Sequence, residues 1–176
     1  PISVSENGVR LVAPLVGQVD QQGSYRQSSE RIEHDFGLVR DAEGQWRIAN
    51  PPEGLIISAY LFGSAFVRNT VYFFAPGEAW LVPEIRFFPR GQELVGAARA
   101  VTLGPTAWLA PAVQGTPEGA SVRTAELTPT GVARVLVERP EPALGAAVEA
   151  RLATQLVWTL RQFDNVTGVM VEYADG

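Results

Sequence analysis

The 176-residue chain has no cysteine and no lysine, and only one histidine and one methionine. Without cysteine there is no disulfide, no thiol nucleophile and no cysteine-ligated zinc, and a single histidine excludes a multi-histidine metal centre. All 14 basic residues are arginine, and 19 acidic residues leave a net charge of −5. Binding to a phosphate backbone draws its free energy from clustered positive charge, so a nucleic-acid role is disfavoured. Long apolar runs are missing too. Gly54 to Val67 is uncharged but falls short of the roughly 20 residues that cross a bilayer, and Ala100 to Pro117 is interrupted by Pro105 and Pro111. The expectation is a soluble piece. Hydrophobic residues at 46% and charged residues at 19% suffice for a packed core. The length corresponds to about 1.2 on the rough domain-size prior, so one ordinary domain or two small ones fit.

The chain starts at Pro1 rather than Met and stops just after a strand-like run, Val166 to Tyr173. This reads as a piece of a longer protein from which any targeting segment has been trimmed. Arginine in place of lysine, with abundant alanine, glycine and proline, fits a GC-rich bacterial genome.

The first 58 residues read as strands. Val9 to Val19 is apolar but interrupted by Pro14 and Gly17, which predicts a bent strand at a sheet edge. From Arg31 the pattern alternates, with Ile32, His34, Phe36 and Leu38 on one face and Glu33 and Asp35 on the other. The polar stretch Asp41 to Gln45, containing Gly44, predicts a turn into a return strand at Trp46-Arg47-Ile48. The breaker cluster Asn50-Pro51-Pro52-Glu53-Gly54 then marks a domain boundary, giving segments 1–58 and 59–176.

Beyond it, Leu55 to Phe66 reads as a short buried helix or a loop. Asn69 to Ala75 and Ala79 to Phe88 read as strands joined by a Pro76-Gly77 turn, with Pro83 placing the second at an edge. Leu94, Ala98 and Val101 at helical spacing, stopped by Gly104-Pro105, predict a helix over Gln92 to Leu103, after which Thr106 could cap a further turn. Val122 to Leu127 and Val132 to Val137 flank a Pro129–Gly131 turn and predict a hairpin. Leu144, Val148, Leu152, Leu156 and Leu160 recur at i+4, predicting a helix entered at Pro140 and Pro142 and about 30 Å long, with Glu149, Arg151, Gln155 and Arg161 on its wetter side. Val166 to Tyr173 is the closing strand. The expected architecture is α+β: an antiparallel or mixed sheet with two helices packed on one face, in the order β-β-α-β-β-α-β, preceded by a short all-β segment.

Chemistry is sparse. His34 and Asp35 are adjacent on a strand, so they point to opposite faces and cannot act as a pair; a structural, partly buried His34 is expected. No Gly-x-Ser-x-Gly elbow or phosphate-binding glycine loop is present, and the carboxylates are scattered. The expectation is no enzyme, with no catalytic, metal or cofactor residues. Asn165-Val166-Thr167 matches a glycosylation acceptor but reads as a helix-to-strand turn. Trp80, Val82, Glu84, Arg86 and Phe88 share one strand face: either a half-covered sheet face, or a protein-binding surface in which Trp80, Glu84 and Arg86 meet a partner.

Four strings, Val71–Phe74, Leu81–Arg90, Gly104–Val113 and Leu152–Leu160, resemble in order and spacing the actinobacterial LpqB lipoprotein family. They span Asn69 to Gly176, which is similar to that family's GerMN domain, named after spore-germination proteins. Residues 1–58, ending in Gly44-Gln45-Trp46-Arg47-Ile48, resemble the closing strands of its NTF2-like domain. The resemblance implies an exported lipoprotein held at the outer face of the cytoplasmic membrane by a lipid anchor absent from this stretch. It also implies that the protein modulates a two-component system by touching the extracellular sensor region of an MtrB-type histidine kinase, and that a β-propeller follows in the full-length chain. Two other classes stay open: a small-ligand binder with a pocket around Phe36 and Trp46, and a structural cell-envelope module that docks the propeller.

Overall fold

In the computed structural model, which describes residues 2–5, 8–140 and 143–174, contacts divide the chain into two compact units. One comprises the chain up to Gln18 together with Tyr25–Phe62; the other comprises Val19–Ser24 together with everything from Gly63 onward.

The first unit is built on the predicted alternation. Strands β1 (Ile2–Ser5), β2 (Gly8–Pro14), β5 (Arg31–Arg40) and β6 (Trp46–Ile48) form an antiparallel sheet in the order β1-β2-β5-β6. Val4, Val9 and Phe36 align across three strands, as do Ile2, Leu11 and His34, so one face is apolar. The other carries Arg10 paired with Glu33 and lying 3.6 Å from Asp35. The Asp41 turn forms as expected: Asp41 Oδ1 accepts from Glu43 N and Gln45 N. One expectation is corrected. The Val9–Pro14 part is not an edge, because β2 lies between β1 and β5; the strand is interrupted after Pro14, as expected, and Gly17–Val19 forms β3, an edge strand paired only with β4 (Tyr25–Gln27). Strand β1, Ile-Ser-Val-Ser, alternates apolar and polar residues over only four positions.

A short helix, α1 (Ala59–Ala65), follows, and none of its residues is buried, so the expectation of burial there is also corrected. The second unit runs β7 (Phe66–Phe74), β8 (Leu81–Pro89), α2 (Glu93–Leu103), a 3₁₀ turn (Ala110–Ala112), β9 (Ser121–Leu127), β10 (Val132–Glu138), α3 (Ala146–Leu160) and β11 (Gly168–Ala174). This is the expected β-β-α-β-β-α-β order. The strands form two sheets, the β7–β8 hairpin and a mixed sheet β11-β10-β9 in which β10 and β11 are parallel. Val71, Phe73, Val101, Val135, Val137, Leu152, Leu156 and Leu160 are at the centre of the core. Small residues let α2 approach closely, and a Cβ on Gly96 would stand 2.6 Å from the Phe88 ring. Helix α3 starts later than expected, after Gly145, because the glycine holds an extended ψ of 150° at the N-cap. At about 1.5 Å per residue it is roughly 22 Å long. Pro140 precedes it as loop, and Pro142 lies outside the described residues.

Candidate functional site

Strand β8 has two faces, and they differ in kind. Val82, Glu84, Arg86 and Phe88 do share one, but it is the inner face: Glu84 is 2% and Arg86 0% exposed. Arg86 Nε and Nη2 donate to Glu84 Oε2, Nη2 also to the Gly104 carbonyl at 2.9 Å, and Nη1 to the Gln22 carbonyl at 2.9 Å. Glu84 Oε1 accepts the Thr106 hydroxyl, so Thr106 closes this cluster instead of capping a turn with its side chain. The expectation of Glu84 and Arg86 at a partner surface is therefore corrected. A guanidinium buried with every nitrogen bonded internally has little to offer a partner, and desolvating it is tolerable because each nitrogen has an acceptor. Trp80, at the end of the hairpin, is 77% exposed.

Gln22 reaches this cluster through a tight loop. Asp20 Oδ1 accepts from Gln22 N and Ser24 N, and Gly23 adopts a φ of +80°. The Gly23 carbonyl then accepts from Phe87 N at 2.7 Å, and a Cβ at Gly23 would stand 2.7 Å from the Phe87 carbonyl oxygen. Only glycine combines that backbone conformation with that approach.

The opposite face of the hairpin pairs Arg68 with Phe87, Thr70 with Ile85, Tyr72 with Pro83 and Phe74 with Leu81. Alongside it, α3 takes the place of a neighbouring strand. Gln162 donates to the Thr70 carbonyl and accepts from Thr70 N, Thr159 accepts from Tyr72 N, and Gln155 donates to the Tyr72 carbonyl. At Thr70 and Tyr72 the free edge of β7 is thus satisfied by side chains of α3 and of the turn that follows it. Gln155, expected on the wetter side, is buried for this reason. Because Tyr72 turns its backbone groups to α3, Pro83 opposite it turns its own away from β7, and its missing N–H costs the hairpin no bond. Trp158 projects from α3 with its ring 6.2 Å from that of Tyr72. Trp158 is 50% and Ile85 43% exposed, and Pro83 is exposed between them. Sequence reading missed this surface; Gln155, Thr159 and Gln162, a polar row at helical spacing beside the leucine stripe, were the available signal.

His34 sits half-buried on the apolar face of β5, its ring 4.5 Å from Phe36 and its Nε2 buried without a hydrogen-bond partner, while Asp35 points the other way. Trp46 pairs with Arg40, away from Phe36 along the strand, and is half exposed. Among the described residues no group of three or more histidines and carboxylates could hold a metal ion.

Tyr173 on β11 is a structural titration site. Burial and the Glu149 carboxylate push its phenol above the ordinary value, opposed by Arg139, whose guanidinium lies 4.9 Å from the ring. Its hydroxyl donates to the Glu149 carbonyl at 3.1 Å. A folded pKa above the unfolded 10.0 means the native state holds the proton more tightly. That stability is present below the unfolded value and is lost as pH climbs through the folded one. Melting curves at rising alkaline pH should show the wild type falling faster than Tyr173→Phe; parallel curves would contradict it.

Two family models match, "Lipoprotein LpqB, N-terminal domain" over residues 2–63 and "Sporulation and spore germination" over residues 70–176. Lipoprotein LpqB of Cutibacterium acnes is 36% identical over 163 residues, covering 90% of this chain and 27% of the relative. The chain belongs to the LpqB lipoprotein family. LpqB of Thermobifida fusca is 31% identical over 171 residues, covering 90% of this chain and 26% of the relative, so the chain spans about a quarter of the length of these relatives. The first GerMN domain of the sporulation protein GerM from Bacillus subtilis aligns at a TM-score of 0.49 and 17% identity, over 61% of this chain and 82% of that one. The LpqB relatives are lipoproteins, which makes this chain an accessory segment of a cell-envelope lipoprotein. No helix among the described residues is long and apolar enough to cross a membrane.

Proposed function

We propose that this LpqB-family chain is a non-catalytic accessory module that acts by protein contact, on the extracellular sensor region of a two-component histidine kinase of the MtrB type. Its first segment, residues 1–58, supplies closing strands of an NTF2-like domain, and residues 59–176 form the GerMN-like domain that meets the kinase. The full-length protein is lipid-anchored outside the cytoplasmic membrane, with a β-propeller beyond this stretch as a second, intramolecular partner. Such a module alters signalling by binding one kinase conformation better than another.

The observation that supports contact is the outer face of the β7–β8 hairpin. It holds Tyr72, Pro83, Ile85 and Trp158 together in partial exposure, the residue chemistry of interface centres. The contact surface thus moves from the Glu84 and Arg86 side of β8 to its other side, with Trp80 still available at the hairpin's end. Capture of the purified kinase sensor region by this chain tests the reading. Trp158→Ala should weaken binding by about tenfold or more, while circular dichroism and melting temperature stay close to wild type. Equal capture by the variant would clear this face of a role, and no capture by wild type would sink the kinase assignment.

A further inference from the structure

The guanidinium groups of the second unit are nearly all engaged. Arg86 is held by Glu84, Arg123 by Glu138, Arg134 by Glu172, Arg139 by Glu149 and Arg151 by Glu78, while Arg90 and Arg99 donate to the carbonyls of Ser64 and Arg123. Among the described residues of that unit, Arg68 and Arg161 are the two whose guanidinium groups make neither an ion pair nor a hydrogen bond. Both are exposed, and both belong to the same end of the aromatic face. Arg68 is on the outer face of β7, two residues before Thr70, and Thr70 is gripped by Gln162, the neighbour of Arg161. The Arg161 guanidinium lies 5.9 Å from the Trp158 ring.

Charge makes this placement informative. The chain carries five more acidic than basic residues, yet the paired residues of this face, Arg68 to Phe74 on β7 and Leu81 to Phe87 on its outward side of β8, include no carboxylate. Among the described residues, Asp164 in the turn after α3 forms an ion pair with neither arginine. Two free arginines beside exposed aromatic and aliphatic side chains form a two-part surface: an apolar strip that gains by leaving water, and a cationic end that forms charge-assisted hydrogen bonds with carboxylates. An anionic chain repels acidic partners at long range, so local complementarity of this kind is needed to hold one in a single register.

We infer that the Tyr72–Trp158 face docks a polypeptide segment that is apolar along part of its length and acidic at one end, its carboxylates meeting Arg68 and Arg161. This rests on the protein-contact reading above and names the chemistry of the segment recognised. The occupant is a partner protein's segment rather than this same face of a second copy, because the face carries no carboxylate of its own to meet the two arginines.

A random peptide library displayed on phage, selected on the immobilised 176-residue chain, tests it. The enriched peptides should combine aromatic or branched aliphatic residues with two or more carboxylates. Synthetic copies should bind about tenfold or more weakly to Arg68→Glu/Arg161→Glu, and binding should fall as salt rises. The milder Arg68→Gln/Arg161→Gln should show a smaller loss in the same direction, and copies with lysine replacing the carboxylates should prefer the charge-reversed variant. Failure to enrich any peptide, enrichment without excess carboxylate, or equal binding to wild type and both variants would overturn the inference. The kinase assignment is judged separately: kinase capture indifferent to both arginines overturns the inference and leaves the kinase as partner, whereas acidic-apolar peptides without kinase capture support the inference and remove the kinase.

Discussion

Replacing Arg86 with alanine is expected to destabilise the second unit by about 3–5 kcal/mol, the cost of leaving a buried charge without its partner. Glu84 would stay 2% exposed with its main cation gone, and the carbonyls of Gln22 and Gly104 would each lose a charged donor. The loss should appear in chemical denaturation as a lower midpoint with unchanged slope. Arg86→Met together with Glu84→Leu should recover part of it, because two apolar side chains remove both charges at once. A single Arg86→Ala loss below about 1 kcal/mol would place the pair in the range of surface ion pairs and contradict its burial.

Phe73→Ala should cost a similar amount, about 3–5 kcal/mol, by a different route. Its ring is fully buried on the inner face of β7, within the cluster that includes Leu152, Leu156 and Leu160. Truncation there opens a cavity that the surrounding close-packed side chains fill only in part. Phe74 is the control. It follows directly in sequence but points to the outer face and is only half buried, so Phe74→Ala should cost clearly less under the same denaturation conditions. Equal losses at both positions would mean that the strand is not two-faced.

The contrast between these neighbours also shows what could be read without coordinates. Period-2 alternation at Ile32–Leu38, the Asp41 and Pro129 turns, and the leucine stripe of α3 all carry their geometry in local spacing, and local signals of the same kind carried the order from Phe66 to Ala174. The sidedness of β8 did not. Residues 82, 84, 86 and 88 were correctly grouped, but Glu84 and Arg86 on that face suggested water, and only their mutual pairing with Thr106, Gly104 and Gln22 makes burial tolerable. Partners that distant in sequence leave no local pattern. The same holds for Gln155 and Thr159, polar residues whose burial depends on an unpaired strand edge, and for the contact loop at Asp20–Ser24.

That loop has a bearing on where the chain can be cut. Gln22 and Gly23 are encoded far upstream of the hairpin whose Arg86 and Phe87 they receive. A chain beginning after this loop would lack both carbonyl acceptors, and Arg86 Nη1 would lose its partner. Removal of the Asp20–Ser24 loop is therefore felt inside the second unit, where one donor of a fully buried arginine and one backbone N–H of β8 would lose their acceptors.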